Sequence, residues 1–112
     1  MSTMKSFMQG EIIAKEGDHS RNFFVLVEGT VGIFKGDKKI AEFDKEGTIL
    51  GELSMILKRP RTATMKAMSV VNLLIIEGDL DDIIQQYPAY SKKIIKSLAE
   101  RLVKTDELYL SS

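Results

Sequence analysis

The residues best suited to chemistry lie in one short stretch, Gly51–Thr64. Gly51 opens a predicted short helix, whose first turn carries backbone N–H groups that lack intrahelical partners and attract anions. Arg61 follows a basic turn at Pro60, and its planar guanidinium offers donors that match a phosphate. An isolated arginine after a turn is more often a plain surface residue. Together with the glycine and the free N–H groups, however, Arg61 predicts a compact phosphate-binding site.

Glu52 is the unexpected member of this stretch, because a carboxylate beside a phosphate would repel it. The glutamate fits if it accepts a hydrogen bond from a hydroxyl group of the same ligand, such as a ribose, while also orienting Arg61. The alternative is an exposed carboxylate at a helix start, favoured there by the helix dipole. A sugar and a phosphate bound by one segment indicate a nucleotide.

A strand-rich half of the chain, residues 10–76, is predicted to hold this stretch. Turn sequences that contain Gly17, Gly29, Gly36 or Gly47 recur about every 8 to 12 residues, a spacing typical of a sandwich or barrel. Apolar residues between the turns alternate as in short strands: Ile12, Phe24, Leu26, Val31, Ile33, Ile40 and Phe43. The pattern predicts a mainly β fold, a jelly roll or double-stranded β-helix. Residues 1–9 show no clear period and are expected to form a short, loose lead-in.

Two helices are predicted after the strands, within residues 77–110. Asp79 can cap a helix that ends near Tyr87, and Pro88 suits the first turn of the next helix. The second helix carries a stripe on one face: Ile94, Ile95, Leu98, Leu102, Thr105 and Tyr109. Residues 10–112 are therefore expected to form one domain, a β-roll followed by two helices.

Composition argues against several classes of function. The chain has 112 residues, 16 basic and 16 acidic residues, one His and no Cys. Balanced charge gives no reason to expect nucleic acid or an anionic membrane as a partner. One His and no Cys disfavour a metal site or a catalytic triad, so neither a metal, nor a cofactor, nor an enzyme is expected. No signal peptide or spanning segment is visible, and a cytoplasmic protein is expected.

The run Gly51-Glu52-Leu53, followed after six residues by Pro60-Arg61-Thr62-Ala63-Thr64, resembles the phosphate-binding cassette of the cyclic nucleotide-binding domain family. Residues 10–18 resemble the first strand and turn of that family, and residues 23–32 resemble its hairpin. The likeness extends over about residues 7–110. It implies a β-roll with a phosphate-binding cassette, closed by the second C-terminal helix as a lid over the base.

The resemblance also implies roles for individual residues. The position of Arg61 binds the cyclic phosphate, that of Glu52 binds the ribose 2′-hydroxyl, and nearby backbone N–H groups help to hold the ligand. In the predicted lid helix, Arg101 would stack on the base and Thr105 would bind its edge. The alternative is that Arg101 pairs with a carboxylate and Thr105 only fills the apolar stripe. The predicted ligand-binding set is Gly51, Glu52, Leu53, Ser54, Arg61, Thr62, Ala63, Arg101 and Thr105.

Thr62 bears on the identity of the nucleotide. In the family, threonine at this position can bind a guanine amino group, but serine or threonine also occurs in cAMP binders. We expect cAMP rather than cGMP as the ligand, because cAMP is common among the bacterial members that this short chain resembles.

The expected function is a regulatory binding module in which a cyclic nucleotide moves the C-terminal helix. The alternative is an interaction domain that retains the fold without binding a nucleotide. A cupin-like enzyme is disfavoured because its metal site needs several histidines. The receiving effector protein is unknown, and a homodimer formed through the C-terminal helix, whose stripe continues to Tyr109 and Leu110, is a further hypothesis.

Overall fold

The computed structural model describes residues 2–111, with side-chain surroundings for residues 2–104. The chain forms eight strands and three helices in the described residues. The strands are β1 (Ser2–Phe7), β2 (Ile12–Ala14), β3 (Asn22–Glu28), β4 (Val31–Lys35), β5 (Lys38–Phe43), β6 (Ile49–Leu50), β7 (Thr64–Ala67) and β8 (Val71–Glu77). The helices are α1 (Glu52–Leu57), α2 (Leu80–Gln86) and α3 (Pro88–Ser111).

The strands form two four-stranded antiparallel sheets around one core. Their orders are β1-β8-β3-β6 and β2-β7-β4-β5. Buried side chains of both sheets form a single cluster, which includes Phe24, Leu26 and Leu73 of the first sheet and Val31 and Met65 of the second. Burial of this apolar surface is the main term that stabilises the roll. The predicted jelly roll with C-terminal helices is confirmed.

The expectation of a loose lead-in at residues 1–9 is wrong. Ser2–Phe7 form β1, which pairs with β8 in continuous register from Ser2–Ile76 to Phe7–Val71. Residues 2–6 are exposed and only Phe7 is buried. The strand is therefore held mainly by backbone hydrogen bonds to its neighbour, and such pairing leaves little periodic signal in the sequence.

The alternation predicted for the strands holds only in part. Phe24, Leu26 and Val31 are buried, but Ile12 and Ile40 are more than half exposed. Strand β3 is instead buried at four consecutive positions, residues 23–26. A strand that is covered on both faces has a continuous run of apolar residues. Alternation of buried and exposed residues is therefore not expected in β3.

Two glycine-containing turns fix the geometry of the roll. The predicted tight turn at Gly36 and Asp37 joins β4 to β5 as a two-residue hairpin, with Gly36 at φ 60°. At Gly29, between β3 and β4, φ is 100° and an added Cβ would overlap the carbonyl oxygen of Val70. Only glycine meets both demands, so this turn can pass close to the start of β8.

Residues 80–111 form a separate helical unit. Its helices begin after Asp79 and at Pro88, as predicted. The Ser91 hydroxyl donates to the carbonyl of Ile83, which ties α3 to α2. Among the predicted stripe residues, Ile94 is buried but Ile95 and Leu102 are more than half exposed. The side chains of Tyr109 and Leu110 lie outside the described residues. None of the described helices is both long enough and apolar enough to span a membrane.

Candidate functional site

Helix α1 begins and ends in left-handed backbone, which sets the shape of the site. Gly51 precedes the helix with φ 80° and ψ 11°, a conformation that suits glycine. Lys58 closes it with φ 52°, and its N–H donates to the carbonyl oxygen of Ser54. The six-residue helix is therefore stopped sharply, and the chain turns back through Pro60 to Arg61.

A cavity of about 140 Å³ lies between α1 and the segment that follows it. Most of the predicted ligand-binding residues line this cavity: Gly51, Leu53, Ser54, Arg61, Thr62 and Ala63. Ile33 and Met65 of the roll complete its wall, together with Arg59 and Pro60 of the turn. The structure thus brings the two ends of the predicted cassette together around one concave surface. No group of three or more acidic or histidine side chains suited to a metal occurs in the described chain.

Arg61 is buried in this wall, with only 4% of its surface exposed. Its Nη1 donates to the carbonyl oxygen of Gly51 at 2.7 Å. Its Nη2 donates to the backbone oxygen of Asn22 at 2.8 Å and to Oδ1 of the same residue at 2.6 Å. The Ser20 hydroxyl accepts a longer bond of 3.4 Å from Nη2. These acceptors fix the guanidinium between α1 and the start of β3.

The surroundings of Arg61 leave its charge incompletely compensated. Burial lowers the pKa of Arg61, an effect that the charge of Asp18 opposes. The guanidinium also lies 5.4 Å from the ring centroid of Phe24, within cation–π range. Its Nε–H is buried and finds no hydrogen-bond partner among the described residues. A buried donor without a partner is unfavourable, so an anion that reached it would be bound well.

Glu52 lies in the first turn of α1, as predicted, and its side chain is buried. It is 4% exposed and does not belong to the wall of the cavity, although Gly51 and Leu53 on either side of it do. Residues three apart share a helix face, and Glu52 lies on the same buried face as Met55. That Glu52 orients Arg61 stays a prediction: burial lowers the pKa of Arg61 and the charge of Glu52 opposes this effect, while Gly51 and Asn22 accept the described guanidinium hydrogen bonds.

The two predicted base contacts lie in the helical unit. Arg101 is exposed on α3. The Thr105 side chain lies outside the described residues. Their roles toward a base stay predictions.

Sequence reasoning missed the residues that hold the site in shape. Asn22 and Ser20 precede or begin β3 and lie about 40 positions from Arg61 in the chain. Lys35, at the end of β4, donates to the Thr62 carbonyl at 2.6 Å. None of them carries a local sequence signal, because their function depends on strand pairing across the roll.

Comparisons with known proteins identify the family and the fold. The family model for the cyclic nucleotide-binding domain matches residues 4–87. A cAMP-dependent protein kinase regulatory subunit of Hypocrea atroviridis is 33% identical over 69 residues, or 62% of this chain and 15% of the relative. The cGMP-dependent protein kinase 2 of Rattus norvegicus is 30% identical over 76 residues, or 68% of this chain and 10% of the relative. The chain thus spans a small part of these relatives.

A solved structure shows the same fold over nearly the whole chain. The catabolite activator protein of Thermus thermophilus superimposes with a TM-score of 0.82 at 25% identity, covering 97% of this chain and 54% of that one. The family model covers most of the chain and includes both ends of the cavity wall. The chain therefore belongs to the cyclic nucleotide-binding domain family.

Proposed function

We propose that this chain binds a cyclic nucleotide, with cAMP preferred over cGMP, and acts as a regulatory module. The observation that carries the proposal is the position of Arg61, a buried cation in the wall of a cavity lined by both ends of the cassette. The cyclic phosphate would supply the negative charge and the acceptor that the buried Nε–H lacks. Membership of the family supports this assignment.

The backbone of the cassette supplies further donors for the phosphate. Thr62 and Ala63 line the cavity, and neither N–H donates a hydrogen bond within the described residues. Successive N–H groups that face one space form an anion site without any side-chain charge. We assign the phosphate to these two N–H groups and to Arg61, and Leu53 and Ser54 also line the cavity.

The ribose is assigned to Glu52, which is buried beside two residues that line the cavity, Gly51 and Leu53. We propose that α1 shifts when the nucleotide binds and brings the Glu52 carboxylate to a ligand hydroxyl. A ligand can drive such a shift only to the extent that it binds the shifted state more tightly. We therefore propose that nucleotide binding first changes the conformation of Gly51 and α1.

We assign to α3 the transmission of nucleotide binding to a partner protein. Closure of this helix over the base, with Arg101 stacked on it and Thr105 at its edge, would transmit binding to an effector protein that is not yet identified. Association of two copies through α3 is part of the same proposal. Gel filtration of the chain with and without nucleotide tests it, and a monomer in both conditions would contradict it.

The preference for cAMP over cGMP is a separate and more specific proposal. Relatives named for both cAMP and cGMP match this chain, so the family alone does not separate them. Thr62, which lines the cavity, has a hydroxyl that can bind a guanine amino group as well as a phosphate oxygen. The ratio of the two affinities, measured side by side, decides the ligand.

One observation favours the second candidate function, an interaction domain without a ligand. All hydrogen bonds of the Arg61 side chain within the described residues go to the protein itself, so the residue also serves the fold. A structural arginine needs no nucleotide. The Nε–H without a partner in the described residues, and the cavity that Arg61 lines, favour the binding module instead.

The test is calorimetric titration of the purified chain with cAMP and cGMP. We expect saturable binding that Arg61→Ala weakens about 100-fold or more, as for removal of one partner of a buried charge pair. Lys38→Ala, which removes a positive charge from an exposed hairpin residue, is the matched control and should bind as the wild type does. Because Arg61 also supports the fold, urea denaturation must show that the variant is folded. Absence of heat with either ligand on the folded wild type would refute the proposal.

A further inference from the structure

A lysine from the β4–β5 hairpin reaches the cassette. The Nζ of Lys35 donates to the carbonyl oxygen of Thr62 at 2.6 Å. The two residues are 27 positions apart and lie on different segments of the roll. Lys35 is thus the side chain that ties this hairpin to the cavity wall.

Glu16 holds Lys35 in place from the other side. Its Oε2 lies 3.3 Å from the lysine Nζ, and its Oε1 accepts a bond of 3.3 Å from the N–H of Gly36. The backbone N–H of Glu16 donates to the Thr64 hydroxyl at 2.9 Å. A lysine ammonium has three donors, so it can serve the carboxylate and the carbonyl together. The hairpin, the turn at Glu16 and the cassette are therefore connected through one cation.

The carbonyl bonds determine where the neighbouring N–H groups point. In a trans peptide the C=O and the following N–H point in opposite directions, and the described chain has no cis peptide. The Arg61 carbonyl accepts from the N–H of Gly17 at 2.8 Å, and the Thr62 carbonyl accepts from Lys35. The N–H groups of Thr62 and Ala63 must then point away from these two partners. Both residues line the cavity, and neither N–H donates within the described residues.

We propose that Lys35, supported by Glu16, is a positioning residue of the phosphate site, which holds the Thr62–Ala63 peptide with its N–H toward the ligand. The inference rests on the proposed nucleotide-binding function and deepens it. Lys35 does not line the cavity, so it acts through the backbone rather than by contact with the phosphate. Its contribution is preorganisation, since a fixed N–H loses less freedom when the ligand binds.

The experiment compares Lys35→Met with Lys38→Met. Lys38 pairs with Lys35 across the hairpin and is exposed, so its variant removes the same charge from the same hairpin without breaking the bond to Thr62. Two quantities are measured on each protein: the dissociation constant for cAMP, and the ¹⁵N order parameters of the Thr62 and Ala63 amides without ligand. We expect Lys35→Met to weaken cAMP about three- to tenfold, as for loss of one charge-assisted but exposed hydrogen bond. It should also lower both order parameters, while Lys38→Met changes neither quantity.

Each alternative outcome has a distinct meaning. Equal weakening by the two variants would show a general effect of charge and overturn the role of Lys35. Unchanged order parameters at Thr62 and Ala63 in Lys35→Met would also overturn it, because the peptide would then be held by other contacts. A folded wild type that binds neither cAMP nor cGMP would overturn the proposed function, and the role of Lys35 with it.

Discussion

Replacement of Gly51 by alanine should disturb the fold and the site together. Gly51 has φ 80°, and a Cβ there would lie 2.5 Å from Nη1 of Arg61 and 3.3 Å from Cε of Met65. The left-handed conformation costs a non-glycine residue about 1–2 kcal/mol. Displacement of the guanidinium would break the bond from Nη1 to the Gly51 carbonyl, worth about 1.5–3 kcal/mol for a charged donor. The expected loss of unfolding free energy is therefore about 2.5–5 kcal/mol.

Gly10 provides the matched control for this substitution. Its φ of 93° is close to that of Gly51, but a Cβ there would meet nothing within 4 Å. Gly10→Ala should therefore show the backbone strain alone, about 1–2 kcal/mol. Urea denaturation of both variants measures the difference, which we attribute to the displaced guanidinium of Arg61.

Affinity for cAMP should distinguish Gly51→Ala from Gly10→Ala further. If Arg61 binds the phosphate as proposed, Gly51→Ala should weaken cAMP binding at least about tenfold, because the guanidinium would be displaced from the proposed phosphate site. Gly10→Ala should retain wild-type affinity once its folded fraction is taken into account. Equal losses of stability in the two variants, or unchanged affinity in Gly51→Ala, would refute the idea that Gly51 is required for the position of Arg61.

Two further predictions concern the roll itself. Gly29→Ala should be more damaging than either substitution above, with a loss of unfolding free energy above about 5 kcal/mol in urea denaturation, because its Cβ would overlap the fixed backbone oxygen of Val70; a loss no larger than that of Gly51→Ala would contradict this. Acid should destabilise the chain through two carboxylates: a hydrogen bond from the Gly36 N–H lowers the pKa of Glu16 below 4.5, and one from the Ser20 hydroxyl lowers that of Asp18 below 3.8. Since both pKa values are lower in the folded state, the stabilisation is present above the unfolded values and is lost as the pH falls through the folded ones. The double variant Glu16→Gln, Asp18→Asn should lose less stability than the wild type between about pH 5 and pH 3, and equal losses would show that these groups do not contribute.

Arg61 serves the fold and the proposed site through different parts of its guanidinium. The two Nη groups are bound by Gly51 and Asn22, which accept in fixed positions, while the buried Nε–H has no partner in the described residues. A side chain anchored in this way does not have to be ordered by the ligand, and that saves conformational entropy on binding. The same anchoring means that loss of binding in an Arg61 variant must be separated from loss of folding.

Much of the β-roll could be predicted from the sequence, and its exceptions have physical causes. The glycine-containing turns and the hairpin at Gly36 follow from local backbone preferences, and such preferences are properties of the sequence itself. Strand β1 was missed because its side chains are exposed and its stability comes from pairing with β8, about 70 residues away. The continuous burial of β3 was not predicted, because an alternating apolar pattern is expected only for a strand with one solvent-exposed face.

The candidate site divides in the same way between sequence and structure. The sequence alone determined which groups could bind a nucleotide, because the order of Gly51, Arg61, Thr62 and Ala63 along one short segment is local. It also determined where the segment must turn, since glycine and proline restrict the backbone by themselves. The structure places six of the predicted residues on the wall of one cavity.

Only the tertiary structure decided how those groups are held and which way they face. It turned Glu52 to the buried face of α1, bound Arg61 to Asn22, and brought Lys35 to the carbonyl of Thr62. The contacts of Arg61 with Asn22 and of Lys35 with Thr62 join residues from separate segments, and the distances between these segments depend on sheet register rather than on local preference. Strand register depends on the packing of the whole core, so it cannot be predicted from any single segment of the chain.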